Sequence, residues 1–287
     1  MTPPIALPEW RAAGNDAFRH RGHRVFARAG GAPDAPALLL VHGFPTASWD
    51  WASVWPALAG TQRLLAPDLI GFGFSAKPRA YDYSIVDQAD LCEGLLRAHG
   101  LREYRVLAHD YGDSVAQELL ARRIEGGDRP RLAGVTFLNG GLFPEAHRAA
   151  FVQRLLRSPL GRIVARAITQ RGFDANMRRI WGTTPPDREL LDGHWQLVEA
   201  NDGRAVMHRL IRYLDERRAR RERWVGALQR SPVPVAFACG LADPISGAHM
   251  LARWRELVPG GGAHELTGIG HYPQCEAPEA VLAALAR

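Results

Sequence analysis

The chain lacks any apolar run long enough to cross a membrane. Its longest, such as Ala37 to Val41, fall far short of the roughly 18 residues a spanning helix requires. The amino terminus, MTPPIALPEW, carries neither the basic segment nor the apolar stretch of a secretory signal. Cysteine is scarce, and Cys92, Cys239 and Cys275 cannot all pair within one chain, so a reducing cytoplasm is the expected setting. Neither C-x-x-C nor H-E-x-x-H occurs, and no metal is expected. Lysine is nearly missing: all but Lys77 of the 36 basic residues are arginine, against 30 acidic residues and a net charge of +6. The densest basic run, Arg217 to Arg223, has no interleaved aromatic residues and sits beside Asp215, Glu216 and Glu222. It reads as a solvated helix face, and no nucleic-acid partner is expected.

What is present is an ordinary globular composition, 46% hydrophobic and 23% charged over 287 residues, with no repeat. Strands and helices alternate. Val25 to Arg28, Ala37 to Val41, Leu64 to Pro67, Arg105 to His109, Gly134 to Leu138, Val233 to Ala238 and Ala263 to Leu266 read as strands. Ala37 to Val41 is apolar throughout and belongs at the centre of a parallel sheet. Ser84 offers an N-cap to a helix that stops at Gly100, a second helix runs from about Ser114 to Ile124, and a last one starts near Pro278. Between Leu142 and Arg230 the strand pattern vanishes, leaving amphipathic helices broken at Pro159, Gly172 and Pro185–Pro186. This predicts an α/β fold with a mostly parallel central sheet flanked by helices. Residues 1–141 and 231–287 form its core, and 142–230 form an inserted helical cap over the strand ends where ligands bind.

Chemistry concentrates where a strand hands over to a helix, at Ala108-His109-Asp110-Tyr111-Gly112. A nucleophile on so sharp a turn needs small residues two before and two after it, and Ala108 and Gly112 meet that need for Asp110. A second register, Gly112-Asp113-Ser114-Val115-Ala116, places small residues about Ser114 and keeps a serine-type esterase open. Position favours Asp110, because Ser114 falls about one turn into the helix. The N–H groups of Tyr111 and of Phe44, in His42-Gly43-Phe44-Pro45, are the expected oxyanion-hole donors. His271 in the glycine-lined loop after Leu266 is the expected base, and Asp243 after the preceding strand the acid that orients it. Gly71-Phe72-Gly73-Phe74-Ser75-Ala76 mimics a dinucleotide-binding pattern, but Lys77-Pro78 is a poor start for the helix that pattern needs. No cofactor is expected.

Together these segments resemble the α/β-hydrolase superfamily, and within it the epoxide hydrolases and haloalkane dehalogenases that use an aspartate nucleophile. HGFPTASWDW, DLIGFGFSAKPR, HDYGDSVAQELL, NGGLFPEAHR, RRERWVGAL and HYPQ are closer still to the mesoderm-specific transcript protein family. The resemblance implies that Asp110 forms an alkyl-enzyme ester, which His271, held by Asp243, hydrolyses with water. Dehalogenases of this branch usually supply Trp and Asn to the halide, where this chain has Tyr111 and Phe44. Fluoroacetate dehalogenases place an Arg after the nucleophile, and this chain does not. Epoxide hydrolases use cap tyrosines as acid, which points to Tyr213, with His147 or Tyr111 as its second. Trp49, His147, Trp181 and Trp224 are the expected pocket residues. The reading is an epoxide hydrolase acting on an apolar epoxide and water, with a haloalkane dehalogenase, an esterase through Ser114, and a binding protein on a hydrolase scaffold as rivals.

Overall fold

The computed structural model describes residues 4–285. Eight strands form one sheet: β1 (Asn15–His20), β2 (His23–Gly31), β3 (Ala37–Val41), β4 (Arg63–Pro67), β5 (Glu103–Ala108), β6 (Arg131–Phe137), β7 (Val235–Gly240) and β8 (Gly262–Leu266). Their spatial order is β1-β2-β4-β3-β5-β6-β7-β8. Pairing is antiparallel for β1 with β2 and for β2 with β4, and parallel from β4 to β8. The α/β reading therefore holds. All five residues of β3 are buried, as a strand covered on both faces requires. The sequence reading did not include β1, whose pattern of exposed residues carries no apolar alternation.

Strand order reverses about β3, whose neighbours are β4 on one side and β5 on the other. Loops leaving the carboxyl ends of β3 and β5 diverge there and open a crevice. The register aligns Val41 with Ala108, so His42-Gly43-Phe44 and His109-Asp110 leave the sheet side by side, joined by His109 N–H donating to Val41 O at 3.0 Å.

The helix following β4 spans Ile85–Ala98, and the Ser84 hydroxyl accepts from Asp87 N as its cap. The next spans Tyr111–Glu125, beginning three residues before the expected start, so Ser114 sits fully inside its first turn. Between β6 and β7 the chain is helical: Phe151–Arg157, Gly161–Ala167, Gln170–Ile180, Arg188–Glu199, Met207–Leu210, Tyr213–Ala219 and Arg221–Gln229 are the α-helices there. Pro159 and Pro185–Pro186 do fall between helices. Gly172 does not break one; it lies in the first turn of Gln170–Ile180, and its N–H donates to the Thr169 side chain that caps that helix.

Candidate active site

Asp110 occupies a turn of high curvature between β5 and the helix Tyr111–Glu125, with φ 47° and ψ −100°. A non-glycine residue in that region is strained, and the surroundings enforce it. A Cβ on Gly112 would come to 2.2 Å of Val41 O, and one on Gly140 would come to 2.9 Å of the Asp110 Cα. On the neighbouring strand end, a Cβ on Gly43 would meet the His109 ring at 2.6 Å. Glycine at these places lets three backbones converge on the carboxylate.

One carboxylate oxygen, Oδ2, accepts from the Phe44 N–H at 3.1 Å. The Tyr111 N–H is the first of its helix and has no intrahelical acceptor, which leaves it available to an anion. Asp110 is only 2% exposed. Its other oxygen, Oδ1, stands 3.7 Å from Arg217 Nη2.

His271 lies in the loop after β8 and lines a mostly apolar cavity of about 230 Å³ with Phe44, Leu156, Ile168, Phe173 and Met207. Its Nδ1 bonds Asp243 Oδ2 at 2.7 Å, which directs Nε2 away from the acid. Burial alone would lower the His271 pKa, but the charge and hydrogen bond of Asp243, with Asp110 and Glu276 adding, outweigh it and lift the pKa to about 9. Burial alone would raise the Asp243 pKa; the His271 charge and bonds from Ser246 and the Ile245 N–H override it and hold the carboxyl far below its usual range.

Three positioning groups escaped the sequence reading. Asn139, in the loop after β6, accepts the Asp110 N–H on its backbone oxygen at 3.1 Å and donates from Nδ2 to Asp243 Oδ2 at 3.0 Å, joining Asp110 and Asp243. Glu276 accepts from the N–H groups of Gly182, Gly270 and Tyr272 at 2.8, 2.9 and 3.0 Å, and so holds the His271 loop against the end of a helix between β6 and β7. Asn139 and Glu276 stand inside or beside the NGG and HYPQ segments, yet a side chain that bonds backbone far away in sequence leaves no periodic trace.

Arg217 is the third, and it corrects the solvated-face reading of the Arg217 to Arg223 run. The side chain is 2% exposed. Nε donates to Ser114 Oγ and Nη2 to the Asp110 carbonyl, each at 2.5 Å, and the guanidinium lies 4.5 Å over the Tyr213 ring. Nη1 is buried without a partner among the described residues. The other arginines of the run behave as expected of a surface: Arg221 pairs with Glu145, and Arg223 with Glu118 and Glu125. The two sets differ because Arg217 shares a helix face with Tyr213, four residues earlier, and that face looks at the nucleophile.

Tyr213 comes to this point as well. Its ring centroid is 4.9 Å from Tyr111 and 6.2 Å from Phe44. The hydroxyl is buried with no hydrogen bond of good geometry; burial and the Asp110 charge push its pKa up, while Arg217 opposes them. His147 is also buried nearby, its Nε2 without a hydrogen-bond partner among the described residues. Burial, then Arg217, drives its pKa down to about 3 against the pull of Asp110, so at neutral pH it is an uncharged imidazole and no cationic acid.

The expected pocket residues are a correction. None of Trp49, His147, Trp181 and Trp224 lines the cavity beside His271. Trp49 packs edge-on to His194 and donates to Ile5 O. Trp181 stacks on Tyr272 at 5.1 Å, behind the His271 loop. Trp224 donates to Glu118 Oε2 at 2.8 Å and serves the packing of Arg221–Gln229 on Tyr111–Glu125. Trp49 and Trp224 thus satisfy their indole N–H groups in the core. A larger surface groove of about 800 Å³, beside Tyr83 and Arg212, includes neither Asp110 nor His271.

An acid on a strained turn, a histidine with its own acid partner and two backbone donors, arranged across a parallel sheet in that chain order, define a class. The pattern described as alpha/beta hydrolase fold matches residues 36–278, and the chain belongs to that family. Among its relatives, the putative hydrolase LipZ of Mycobacterium tuberculosis is 40% identical over 98% of this chain and 96% of its own length. The mesoderm-specific transcript protein of Mus musculus is 39% identical over 97% of this chain and 86% of its own. The haloalkane dehalogenase DbeA from Bradyrhizobium elkani shares the fold, with a TM-score of 0.78 at 24% identity over 94% of each chain.

Proposed function

We propose that the chain is a cofactor-independent hydrolase in which Asp110 attacks an electrophilic carbon, most simply that of a small apolar epoxide. The observation that carries this is the Asp110 carboxylate itself: one oxygen is held by the Phe44 N–H, where an ester carbonyl is later stabilised, and the other is left for attack. Ser114 supports an esterase poorly, since its hydroxyl accepts from Arg217 inside a helix.

In the first step Oδ1 forms a bond to a ring carbon, the carbon–oxygen bond of the ring breaks, and the released oxygen takes the Tyr213 proton. Arg217 over the ring stabilises the tyrosinate so formed. Esterification also removes the Asp110 charge, one of the groups that raise the His271 pKa, so burial then pulls His271 toward its neutral, basic form. Neutral His271 takes a proton from water as that water adds to the Asp110 ester carbon; the ester carbon–oxygen bond then breaks, the leaving alkoxide takes the proton of the added hydroxyl and departs as the diol, Asp110 is again a carboxylate, and the proton held by His271 returns to the Tyr213 oxygen. The helical stretch over 142–230 serves as lid and keeps bulk water from the 230 Å³ cavity.

A single turnover of styrene oxide in heavy-oxygen water, followed by mass spectrometry of the peptide carrying Asp110, tests the reading. Label in that carboxylate supports the covalent route, and label confined to the product sinks it. Diol formation against halide release from bromoalkanes separates an epoxide hydrolase from a dehalogenase using the same residues.

A further inference from the structure

Only five large apolar side chains stand exposed among the described residues, and four of them gather on two consecutive lid helices: Phe151 at 60%, Leu155 at 36%, Leu160 at 62% and Ile163 at 67%. Phe151 and Leu155 are four apart along Phe151–Arg157 and so share a side of that helix, while Leu160 caps the start of Gly161–Ala167 and Ile163 lies in its first turn. Scattered exposed apolar residues need no explanation, but a gathered set does.

Along the sequence of these two helices the charge has one sign. No Asp or Glu occurs between Glu145 and Asp174, whereas Arg148, Arg154, Arg157, Arg162, Arg166 and Arg171 all fall there. Arg157 is tied to Asp215 at 2.5 Å. Arg154, Arg162 and Arg166 are exposed and pair with no carboxylate among the described residues. An apolar centre ringed by unpaired arginines is the arrangement by which a helical surface lies in the headgroup region of an anionic bilayer. Leu156 of the first helix, with Ala167 and Ile168 at the carboxyl end of the second, lines the cavity that holds His271.

We propose that the outer face of helices Phe151–Arg157 and Gly161–Ala167 docks on an anionic phospholipid surface, and that the enzyme takes its substrate from the membrane through the lid. The second half rests on the function proposed above; the docking itself does not. Phosphate groups meet the arginines, which bind them bidentately, and Phe151, Leu160 and Ile163 enter the acyl boundary. Apolar substrates concentrate in that layer, one lid thickness from the catalytic histidine.

Flotation of the full chain with vesicles tests it. The protein is expected to float with vesicles of phosphatidylcholine plus phosphatidylglycerol, and far less with phosphatidylcholine alone or in high salt. Replacing Phe151, Leu160 and Ile163 together by Ser is expected to abolish flotation while turnover of dissolved styrene oxide stays unchanged, since none of the three touches the catalytic residues. Replacing Arg154, Arg162 or Arg166 singly by Gln is expected to weaken partition roughly 5-fold each. No flotation, flotation indifferent to lipid charge, or flotation that survives the triple Ser variant overturns the proposal. So does light scattering that shows a dimer which that variant dissociates, because a second copy of the chain then covers the patch. Loss of styrene oxide turnover in the unaltered protein, with flotation retained, defeats the proposed function and leaves the docking standing.

Discussion

The two sides of the candidate site about Asp110 are built differently. On the sheet side, position comes from backbone: strand ends in register, a φ of 47° at Asp110, and glycines 43, 112 and 140 where a methyl group has no room. On the side of the helices between β6 and β7 it comes from long side chains of one helix: Arg217, which donates to the Asp110 carbonyl, and Tyr213, over whose ring the guanidinium lies. The first side follows from local geometry and tolerates almost no change in shape. The second depends on which face of a helix turns inward, and a solvent-facing neighbour tolerates nearly anything. Adjacent residues in the lid can therefore have opposite importance.

The largest expected effect belongs to the sheet side: Asp110→Ala should lower kcat/KM for styrene oxide on the order of 10⁴-fold, whereas Ser114→Ala should lose less than about 10-fold, measured side by side. Equal losses, or the reverse order, would transfer the nucleophile to the lid-bonded serine. Next comes shape. Gly112→Ala puts a Cβ 2.2 Å from Val41 O and should cost about 3 kcal/mol in urea unfolding, as an overpacked and already strained site does.

Within the lid, Arg217→Gln removes the cation from a buried cluster that includes the Asp110 and Asp113 carboxyls, and should destabilise by about 3 kcal/mol. Its neighbour Arg218, with 57% of the side chain exposed, is the control: Arg218→Gln should change stability by less than about 0.5 kcal/mol. If both arginines behave alike, the distinction between the inward and outward faces of that helix is wrong.

The His271–Asp243 contact provides a smaller, pH-dependent comparison. Because the folded-state pKa of His271 is raised to about 9 from an ordinary 6.5, its contribution is fully present below about pH 6.5 and fades as pH rises through 9. The unfolding free-energy advantage of the unaltered protein over His271→Gln, measured in urea, should follow that course, with an amplitude on the order of 3 kcal/mol. An advantage that grows above pH 9 would show that the charged pair is not what stabilises the loop.

Legibility followed the same division. The turn at Asp110 and the loops that carry Phe44, Asp243 and His271 were readable as places because each follows the end of a strand. The class of fold was readable because strand and helix periods alternate. Arg217 was not: a run of seven residues containing five arginines has the composition of a surface, and only the packing of its helix shows that one member is buried. The tryptophans misled for the converse reason, since an indole fills a pocket wall and a core equally well by composition. Tyr213 came through the resemblance, and the structure adds the cation above its ring.

By itself the sequence determined the central strand and the glycine-enforced turn, because backbone sterics and hydrophobic period are local properties written residue by residue. The tertiary structure alone decided that Arg217 reaches the nucleophile, that Asn139 and Glu276 bind distant backbone, and that four apolar side chains face outward on the lid. Those are consequences of how helices rotate about their axes when packed, and one strand of letters holds no measure of rotation.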